Sequence, residues 1–339
     1  MDNHPSITVL LPVYLKSKSL TQIRLLRDAL TSVADQKYPG DLEIIIIDDG
    51  SPFPIQEFAD ELGSGVALVR WLRLGNNQGI VGALNAGLAA SRGELIGRID
   101  ADDFWLGGKL SAQVAQFRED PDLSISATGM VRVDTSGREI DRHIRPGDWE
   151  GILRFFVEVG CPFPHGSILA DRRVYRALGG YPHSGAVRHC EDYALWSTWL
   201  RFFKPAMVEE AYYSYRVSGG SVSAEFAEQQ AAASRKISRG FQRLELAPVL
   251  PQMLPALAEA LHCSLFEAGL LAYRIWHFRA AVSLPESAIA PLAAVLPDRV
   301  LTRLAAAPHW SEIVQRSGYQ GIESARGVAL RANSLGETA

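Results

Sequence analysis

The sequence predicts an α/β fold built on a doubly wound, mostly parallel sheet. Short apolar runs typical of buried strands alternate with longer segments in which apolar residues recur at helical spacing. The apolar runs are Ile7–Pro12, Leu42–Ile47 and Val66–Leu72, and the helical segments are Leu20–Ala34 and Ile80–Ser91. Strands that alternate with helices in this way form a parallel sheet with helices on both faces.

The pattern changes near Ala224. Before this point the sequence predicts a hairpin, Ser124–Val133 with Glu139–Ile144, and a last strand, Tyr212–Val217. After it, Ala, Leu, Glu and Arg dominate, strand patterns stop, and prolines separate the helical segments. We therefore expect one domain over residues 1–223 and a helical C-terminal extension over residues 224–339.

Composition and charge exclude several classes of protein. A formal net charge of −4 gives no global basic field for nucleic acid. The three cysteines form neither a C-x-x-C pair nor an even framework, which is typical of a reducing compartment. The N-terminus lacks a signal-peptide pattern, and the aliphatic run Ile44–Ile47 is far too short to cross a bilayer. We expect a cytoplasmic protein, with peripheral attachment to the inner face of the membrane left open.

An acidic stretch at the end of an apolar run is the first candidate site. Asp100, Asp102 and Asp103 lie within four positions, and in a strand Asp100 and Asp102 would point to the same side. Crowded carboxylates repel one another unless a cation lies between them, and a hard cation completes its shell with water and substrate phosphates. An equally weighted alternative is a polar turn in which Asp102 or Asp103 caps the next helix.

Three candidate functional segments lie at the carboxyl ends of predicted strands. Pro12–Tyr14, Asp48–Asp49 and Asp100–Asp103 each follow a predicted strand. Ligands of open α/β sheets bind outside the carboxyl ends of the strands. The coincidence therefore predicts a ligand-binding cleft at that edge.

Further candidate site residues lie in segments other than these three strand ends. His165 lies in a rigid loop, and Glu191 with Asp192 opens a predicted helix, where the helix dipole alone favours acids. The Gly75–Gly79 loop either presents its amides to an anion or starts a helix with small residues.

A basic stripe lies in the C-terminal extension. Arg235, Arg239 and Arg243 recur at i, i+4 and i+8, which puts them on one helix face. Anionic lipid or a pyrophosphate would suit such a stripe, although a solvated helix face is the favoured interpretation.

The order of short motifs along the chain resembles that of family 2 glycosyltransferases of the GT-A fold. The motifs are Pro12-Val13-Tyr14, Ile47–Ser51, Asn85–Leu88, Arg92-Gly93-Glu94, Ile99–Asp103 and Cys190-Glu191-Asp192. A lone D-x-D is a weak signal, whereas this whole series in order is specific, and it covers roughly residues 6 to 220. The resemblance is to members that make bacterial surface polysaccharide, such as O-antigen or exopolysaccharide.

The resemblance implies roles on the side of a nucleotide-sugar donor. Pro12 and Tyr14 match the positions that hold the nucleotide base, and Asp49 matches the acid that hydrogen-bonds it. Asp100 matches the first acid of the D-x-D motif, near the ribose. Asp102 matches the acid that holds Mg²⁺ or Mn²⁺ on the donor pyrophosphate.

The resemblance also implies the residues around the reacting sugar. Asp192 matches the catalytic base, with Glu191 beside it. His165 falls where the family often has a histidine near the diphosphate. Arg216 and Ser221 match a mobile loop that closes over the donor.

The implied reaction is an inverting, metal-dependent transfer of a hexosyl or N-acetylhexosaminyl group. We expect UDP as the nucleotide, with dTDP and GDP left open, and a saccharide hydroxyl as the acceptor, with a lipid-linked saccharide suiting the basic stripe. The sequence departs from the family pattern at Leu15, where Asn is common, and at Gly107-Gly108, which replaces the usual Pro-Asp. The missing Q-x-x-R-W after Asp192, together with the lack of a predicted membrane span, argues against processive synthesis. Two alternatives are a catalytically degenerate nucleotide-sugar-binding protein and a sugar-1-phosphate nucleotidyltransferase. The second should have a glycine- and arginine-rich loop after the first strand, which is lacking here.

Overall fold

The computed structural model describes residues 4–217, 226–242, 254–255, 257–259 and 262–278. The chain divides into two compact units, residues 1–197 with 205–238 and residues 198–204 with 239–339. The domain boundary expected near Ala224 lies outside the described residues and stays a prediction.

The described strands form one sheet of nine. They are β1 Ile7–Val13, β2 Leu42–Asp48, β3 Val69–Arg73, β4 Leu95–Arg98, β5 Phe104–Trp105, β6 Leu123–Val133, β7 Glu139–His143, β8 Leu169–Asp171 and β9 Lys204–Arg216. Their order across the sheet is β3-β2-β1-β4-β8-β6-β9-β5, and β7 pairs with β6 beside this path. The first four strands in sequence therefore lie side by side.

These four strands are the parallel part of the sheet. β1 pairs in parallel with β2 and with β4, and β2 pairs in parallel with β3. The pairs β4–β8, β8–β6, β6–β7 and β9–β5 are antiparallel. All seven residues of β1 are buried, as expected of a parallel strand covered on both faces. The predicted α/β class is confirmed, with a parallel region that continues into antiparallel strands.

Helices lie between most of the strands along the chain and follow the last strand. They are α1 Leu20–Ala34, α2 Ala59–Leu62, α3 Gly79–Ala90, α4 Lys109–Glu119, α5 Trp149–Glu158, α6 Arg172–Leu178, α7 Glu191–Phe202, α8 Ala227–Gln242 and α9 Leu265–Phe278. Ser19 caps α1 by accepting the Gln22 N–H, and Leu26, Leu30 and Val33 are buried along one face. The helical spacing that predicts α1 is thus the spacing of its core contacts.

Some elements differ from the sequence prediction for local reasons. β3 begins at Val69 because residues 64–68 form a 3-10 helix. β9 begins at Lys204, and the prediction started it only at Tyr212 because the two consecutive exposed acids Glu209 and Glu210 interrupt the apolar signal. The short strand β5 and the helix α5 have no counterpart in the prediction.

The described part of the second unit is helical. In α9, Phe266 and Tyr273 pack against Phe203 and Phe202, with ring centroids 5.7 Å apart in each pair. No strand follows Arg216 in the described residues, so the predicted helical character of the C-terminal part is confirmed. Over the same residues, no helix combines the length and apolar character that a membrane crossing requires.

Candidate active site

The ends of β1 and β2 bring the first group of predicted residues together. The strand register pairs Val13 with Asp48, so Tyr14 and Asp49 follow on neighbouring strands. Pro12 is buried within β1, whereas Tyr14 is 39% exposed. An exposed aromatic ring at the carboxyl edge of parallel strands is accessible to a ligand that enters there.

Asp49 is held by the start of α3. Its Oδ1 accepts the Gln78 N–H at 2.8 Å, and its Oδ2 accepts the Gly79 N–H at 2.9 Å. The loop amides that the sequence offers to an anion therefore bind a carboxylate of the same chain. Burial raises the pKa of Asp49, although these two hydrogen bonds oppose the shift.

The acidic turn after β4 holds its three carboxylates in different environments. The Asp100 carboxylate accepts from both Nη atoms of Arg98, with 2.6 Å between Nη1 and Oδ2. Asp102 is exposed, and its pKa is raised by the partial burial of its surroundings and by the nearby charge of Asp100. Asp103 is only 1% exposed. Of the three, Asp102 is therefore the carboxylate most accessible to a cation.

Asp103 fastens this turn to β9. Its Oδ2 accepts from the Tyr213 hydroxyl, and its Oδ1 accepts the Arg216 N–H at 2.7 Å. The Arg216 guanidinium donates to the Asp102 carbonyl at 2.9 Å. Helix α4 begins after Gly108 without a side-chain cap, so the alternative in which Asp102 or Asp103 caps it is wrong. The donor-binding role of Arg216 stays a prediction, and Ser221 lies outside the described residues.

Arg98 belongs to this site, and the sequence prediction missed it. It is 5% exposed, and its Nε has no hydrogen-bond partner among the described residues. Its charge acts on groups from three separate segments, namely Asp100, Glu191, Asp192 and His165. A charged residue is almost never fully buried unless it is paired, so an arginine inside the apolar run of β4 was a usable signal.

Glu191 and Asp192 form the first turn of α7. Burial raises the pKa of Asp192 to about 6, and the neighbouring charge of Glu191 adds to the shift. Burial also raises the pKa of Glu191, and Asp100 contributes to that shift although it is far away in sequence. The fold therefore brings the acids of α7 within electrostatic range of the acidic turn.

His165 lies between Tyr181 and Asp192. Its Nε2 is 2.8 Å from the Tyr181 hydroxyl oxygen, and its Nδ1 is 4.0 Å from Oδ2 of Asp192. Burial lowers the pKa of His165 well below its ordinary value, and the charge of Arg98 lowers it further, so the ring is neutral at pH 7. The predicted role of His165 near a diphosphate stays a prediction.

The acidic turn fits a cation that takes few protein ligands. Over the described residues, no group of three or more His, Cys, Asp or Glu side chains is arranged to hold a metal ion by itself. Asp102 is exposed beside Asp100, and crowding of the two charges contributes to its raised pKa. Mg²⁺ is commonly bound by one or two carboxylates together with water and substrate phosphates, which matches this donor set.

Known proteins with similar sequences include two bacterial relatives. The chain is 27% identical to EpsE of Bacillus subtilis (strain 168) over 221 residues, which are 64% of this chain and 74% of EpsE. It is 25% identical to the amylovoran biosynthesis glycosyltransferase AmsE of Erwinia amylovora over 197 residues, which are 56% of this chain and 67% of AmsE.

The fold has a counterpart among solved structures. The crystal structure of S. aureus TarS 1–349 in complex with UDP-GlcNAc matches with a TM-score of 0.52 and 14% identity, covering 98% of this chain and 92% of that one. The family profile for glycosyl transferase family 2 matches residues 8–179, about half of the chain. On this match, the chain belongs to glycosyl transferase family 2.

Proposed function

We propose that this chain is an inverting, non-processive glycosyltransferase that moves a hexosyl or N-acetylhexosaminyl group from a UDP-sugar to a saccharide hydroxyl. One observation carries the proposal: Asp192, in the first turn of α7, interacts with the same buried arginine as Asp100 of the acidic turn. A donor-side acid and a candidate base therefore lie within electrostatic range of one arginine, which supports their action on the same sugar in a single displacement.

The donor side is built on the carboxyl ends of the parallel strands. The residues that we assign to it are Pro12, Tyr14 and Asp49 for the nucleotide base, Asp100 for the ribose, His165 near the diphosphate, and Arg216 and Ser221 for closure over the donor. The support for the first group is position, since Tyr14 and Asp49 follow adjacent strands. TarS, which shares this fold, binds UDP-GlcNAc in its crystal structure, and this supports UDP as the nucleotide.

Mg²⁺ or Mn²⁺ is the proposed cofactor, and Asp102 is its proposed ligand. Although Asp102 is exposed, the protein around its carboxylate excludes part of the water, and this loss of solvation together with the nearby charge of Asp100 raises its pKa. A bound cation would offset this shift. Such a cation would supply positive charge for the departing diphosphate.

Asp192 is the proposed base for the acceptor. The acceptor O–H bond breaks and its proton passes to the Asp192 carboxylate. The acceptor oxygen bonds to the anomeric carbon as the bond from that carbon to the diphosphate oxygen breaks, and UDP leaves. A pKa of about 6 keeps Asp192 ionised at pH 7 but more basic than an ordinary carboxylate. The neighbouring charge of Glu191 contributes to that basicity.

The acceptor is proposed to be a growing bacterial surface polysaccharide. AmsE, a relative, is named for amylovoran biosynthesis, which supports this class. A lipid-linked acceptor would bring the protein to the inner face of the membrane, where Arg235 and Arg239, both exposed on α8, could meet anionic lipid. Arg243 lies outside the described residues. Flotation with anionic vesicles tests this point: unchanged binding after Arg235→Glu and Arg239→Glu would remove the stripe from the proposal.

The first experiment is calorimetric titration of UDP, dTDP and GDP into the protein, with and without Mn²⁺. We expect binding of UDP that depends on Mn²⁺ and is lost in Asp102→Ala. Asp192→Asn should bind UDP as the wild type does, because Asp192 acts on the acceptor proton. Absence of nucleotide binding by the folded protein would contradict the proposed donor side and would favour a degenerate member that no longer binds nucleotide or an enzyme that binds its acceptor first. Transfer by Asp192→Asn at the wild-type rate would remove its role as base.

A further inference from the structure

The proposed base lies at one end of a short chain of contacts that runs from Tyr181 through His165 to Asp192. The His165 ring accepts or donates one hydrogen bond at Nε2, to the Tyr181 hydroxyl, and turns Nδ1 toward Asp192. The ring is only 12% exposed, and Trp196 packs edge-on against it with the centroids 6.2 Å apart. Because the ring is confined, the question is which nitrogen carries the proton.

The charges around the ring decide between its two neutral forms. A neutral imidazole carries one N–H, on either Nδ1 or Nε2. Asp192 is ionised at pH 7, so an N–H on Nδ1 faces a negative oxygen, whereas a lone pair there would be repelled by it. With the proton on Nδ1, Nε2 is an acceptor, and the Tyr181 hydroxyl donates to it.

We propose that Tyr181 is a positioning residue for the base: its hydroxyl fixes His165 with Nδ1–H toward Asp192 and so orients the Asp192 carboxylate for the acceptor. This inference rests on the proposed role of Asp192 in proton transfer. The 4.0 Å between Nδ1 and Oδ2 exceeds a hydrogen bond, and contacts of this kind commonly tighten when substrate binds.

The position of Tyr181 is fixed because the side chain of Asn85, on α3, binds both the N–H and the carbonyl of its backbone. The Asn85 Oδ1 accepts the Tyr181 N–H at 2.8 Å, and the Asn85 Nδ2 donates to the Tyr181 carbonyl at 2.9 Å. Gly180 has φ +80°, and a Cβ there would lie 2.4 Å from Asn85 Oδ1. The glycine thus lets the amide approach, and the amide fixes the residue that holds His165.

Other ionisable groups also act on Asp192. Those that face it are Glu191 and Cys190 on its own segment, Cys161 and His165 from the preceding loop, Arg98 from β4, and Tyr181. Arg98 favours the ionised form and Glu191 opposes it. An N–H that faces the carboxylate favours its ionised form, so losing the His165 N–H would raise the pH at which Asp192 ionises. The charges of Arg98 and Glu191 would stay the same.

The test reads the His165 tautomer directly, by long-range proton–nitrogen NMR on the full chain with ¹⁵N-histidine. His165→Gln identifies the signals of His165. We expect the wild type at pH 7.5 to show a protonated Nδ1 and an unprotonated Nε2. A protonated Nε2 in the wild type would overturn the proposal, and this measurement needs no variant at the hydroxyl.

Tyr181→Phe removes the hydroxyl and keeps the ring. Without the hydroxyl the ring is no longer held with Nδ1 toward Asp192, so we expect the two tautomers to mix and the His165 signals to report an Asp192 titration that is shifted to higher pH than in the wild type. Tyr175→Phe is the matched control, because its hydroxyl lies 3.3 Å from that of Tyr181 and is not bonded to His165. An unchanged tautomer in Tyr181→Phe, or an equal change in Tyr175→Phe, would overturn the proposal.

The same experiment separates this inference from the proposed function. The tautomer is measured without substrate, so it stands or falls independently of the transfer reaction. If Asp192→Asn transfers sugar normally while the wild type shows the Nδ1–H form, the proposed base fails and the contact remains. If Asp192→Asn is inactive while the wild type shows the Nε2–H form, the base survives and the positioning role fails.

Discussion

Replacing Asp192 by Asn should stabilise the protein, because the folded state keeps this carboxylate in an unfavourable environment. Burial raises the pKa of Asp192 from 3.8 to about 6. Between these values the folded protein binds a proton that the unfolded chain has released. The stability of the wild type therefore falls as pH rises through this window, and the full loss applies above about pH 6.

The size of the effect follows from the shift in pKa. Each tenfold change in an equilibrium corresponds to about 1.4 kcal/mol, so the raised pKa of Asp192 amounts to about 3 kcal/mol at pH 7.5 and about half of that at pH 5. Because the side chain is 23% exposed, water screens part of this penalty, and about 1 to 3 kcal/mol is the expected gain at pH 7.5. The Tyr193 N–H, which Asp192 Oδ1 accepts at 2.8 Å, can be accepted equally well by the amide oxygen of Asn.

Urea unfolding followed by tryptophan fluorescence measures this gain. Asp192→Asn should have a higher midpoint than the wild type at pH 7.5, and the difference should shrink at pH 5. Glu119→Gln, which removes one negative charge from an exposed position, controls for the change in net charge. An Asp192→Asn protein no more stable than the wild type at pH 7.5, or one whose advantage does not change with pH, would refute the reasoning.

Two further predictions concern the contacts that hold the site. Gly180→Ala should destabilise the protein by about 1 to 3 kcal/mol, since the residue has φ +80° and its new Cβ would crowd Asn85; thermal unfolding checks this, and an unchanged midpoint would mean that the Asn85 contact is loose. Asp103→Ala should destabilise by about 2 to 5 kcal/mol, because the buried Tyr213 hydroxyl and Arg216 N–H lose their acceptor. Chemical unfolding measures the loss, and a value below about 1 kcal/mol would show that the turn is not fastened through this carboxylate.

The parallel half of the fold could be predicted because its signals are local. β1 and β2 are continuous apolar runs, and α1 shows helical spacing over its whole length, so burial and periodicity give the same answer. The location of a site followed from one general rule, since Tyr14, Asp49 and the acidic turn all follow parallel strands. Where exposed acids interrupt a strand, as Glu209 and Glu210 do in β9, the apolar signal weakens, and this strand was predicted too short.

The contacts that organise the acids could not be predicted because they join distant segments. Nothing near Asp49 in sequence indicates that its carboxylate will bind the amides of Gln78 and Gly79. The approach of His165 to Asp192 likewise depends on how a loop packs against the start of α7. Sequence pattern gives the residue types that chemistry needs, whereas the partner of each carboxylate is set by tertiary packing.

The hydrogen-bond and ion-pair partners of the acids indicate which of them have a structural role and which are candidates for chemistry. Asp103 has two buried hydrogen-bond donors and serves the structure, and Asp100 is matched by the guanidinium of Arg98. Burial raises the pKa of Asp102, Asp103 and Asp192, and a neighbouring acid adds to each shift, but the Asp103 carboxylate is already bound by two donors within the fold. Residues with perturbed pKa values in a cleft are candidates for binding and catalysis, because the environment that destabilises their charge is relieved by a ligand. A cation would relieve Asp102 and an acceptor proton would relieve Asp192, so the proposed reaction supplies a partner for the charge of each of these two acids.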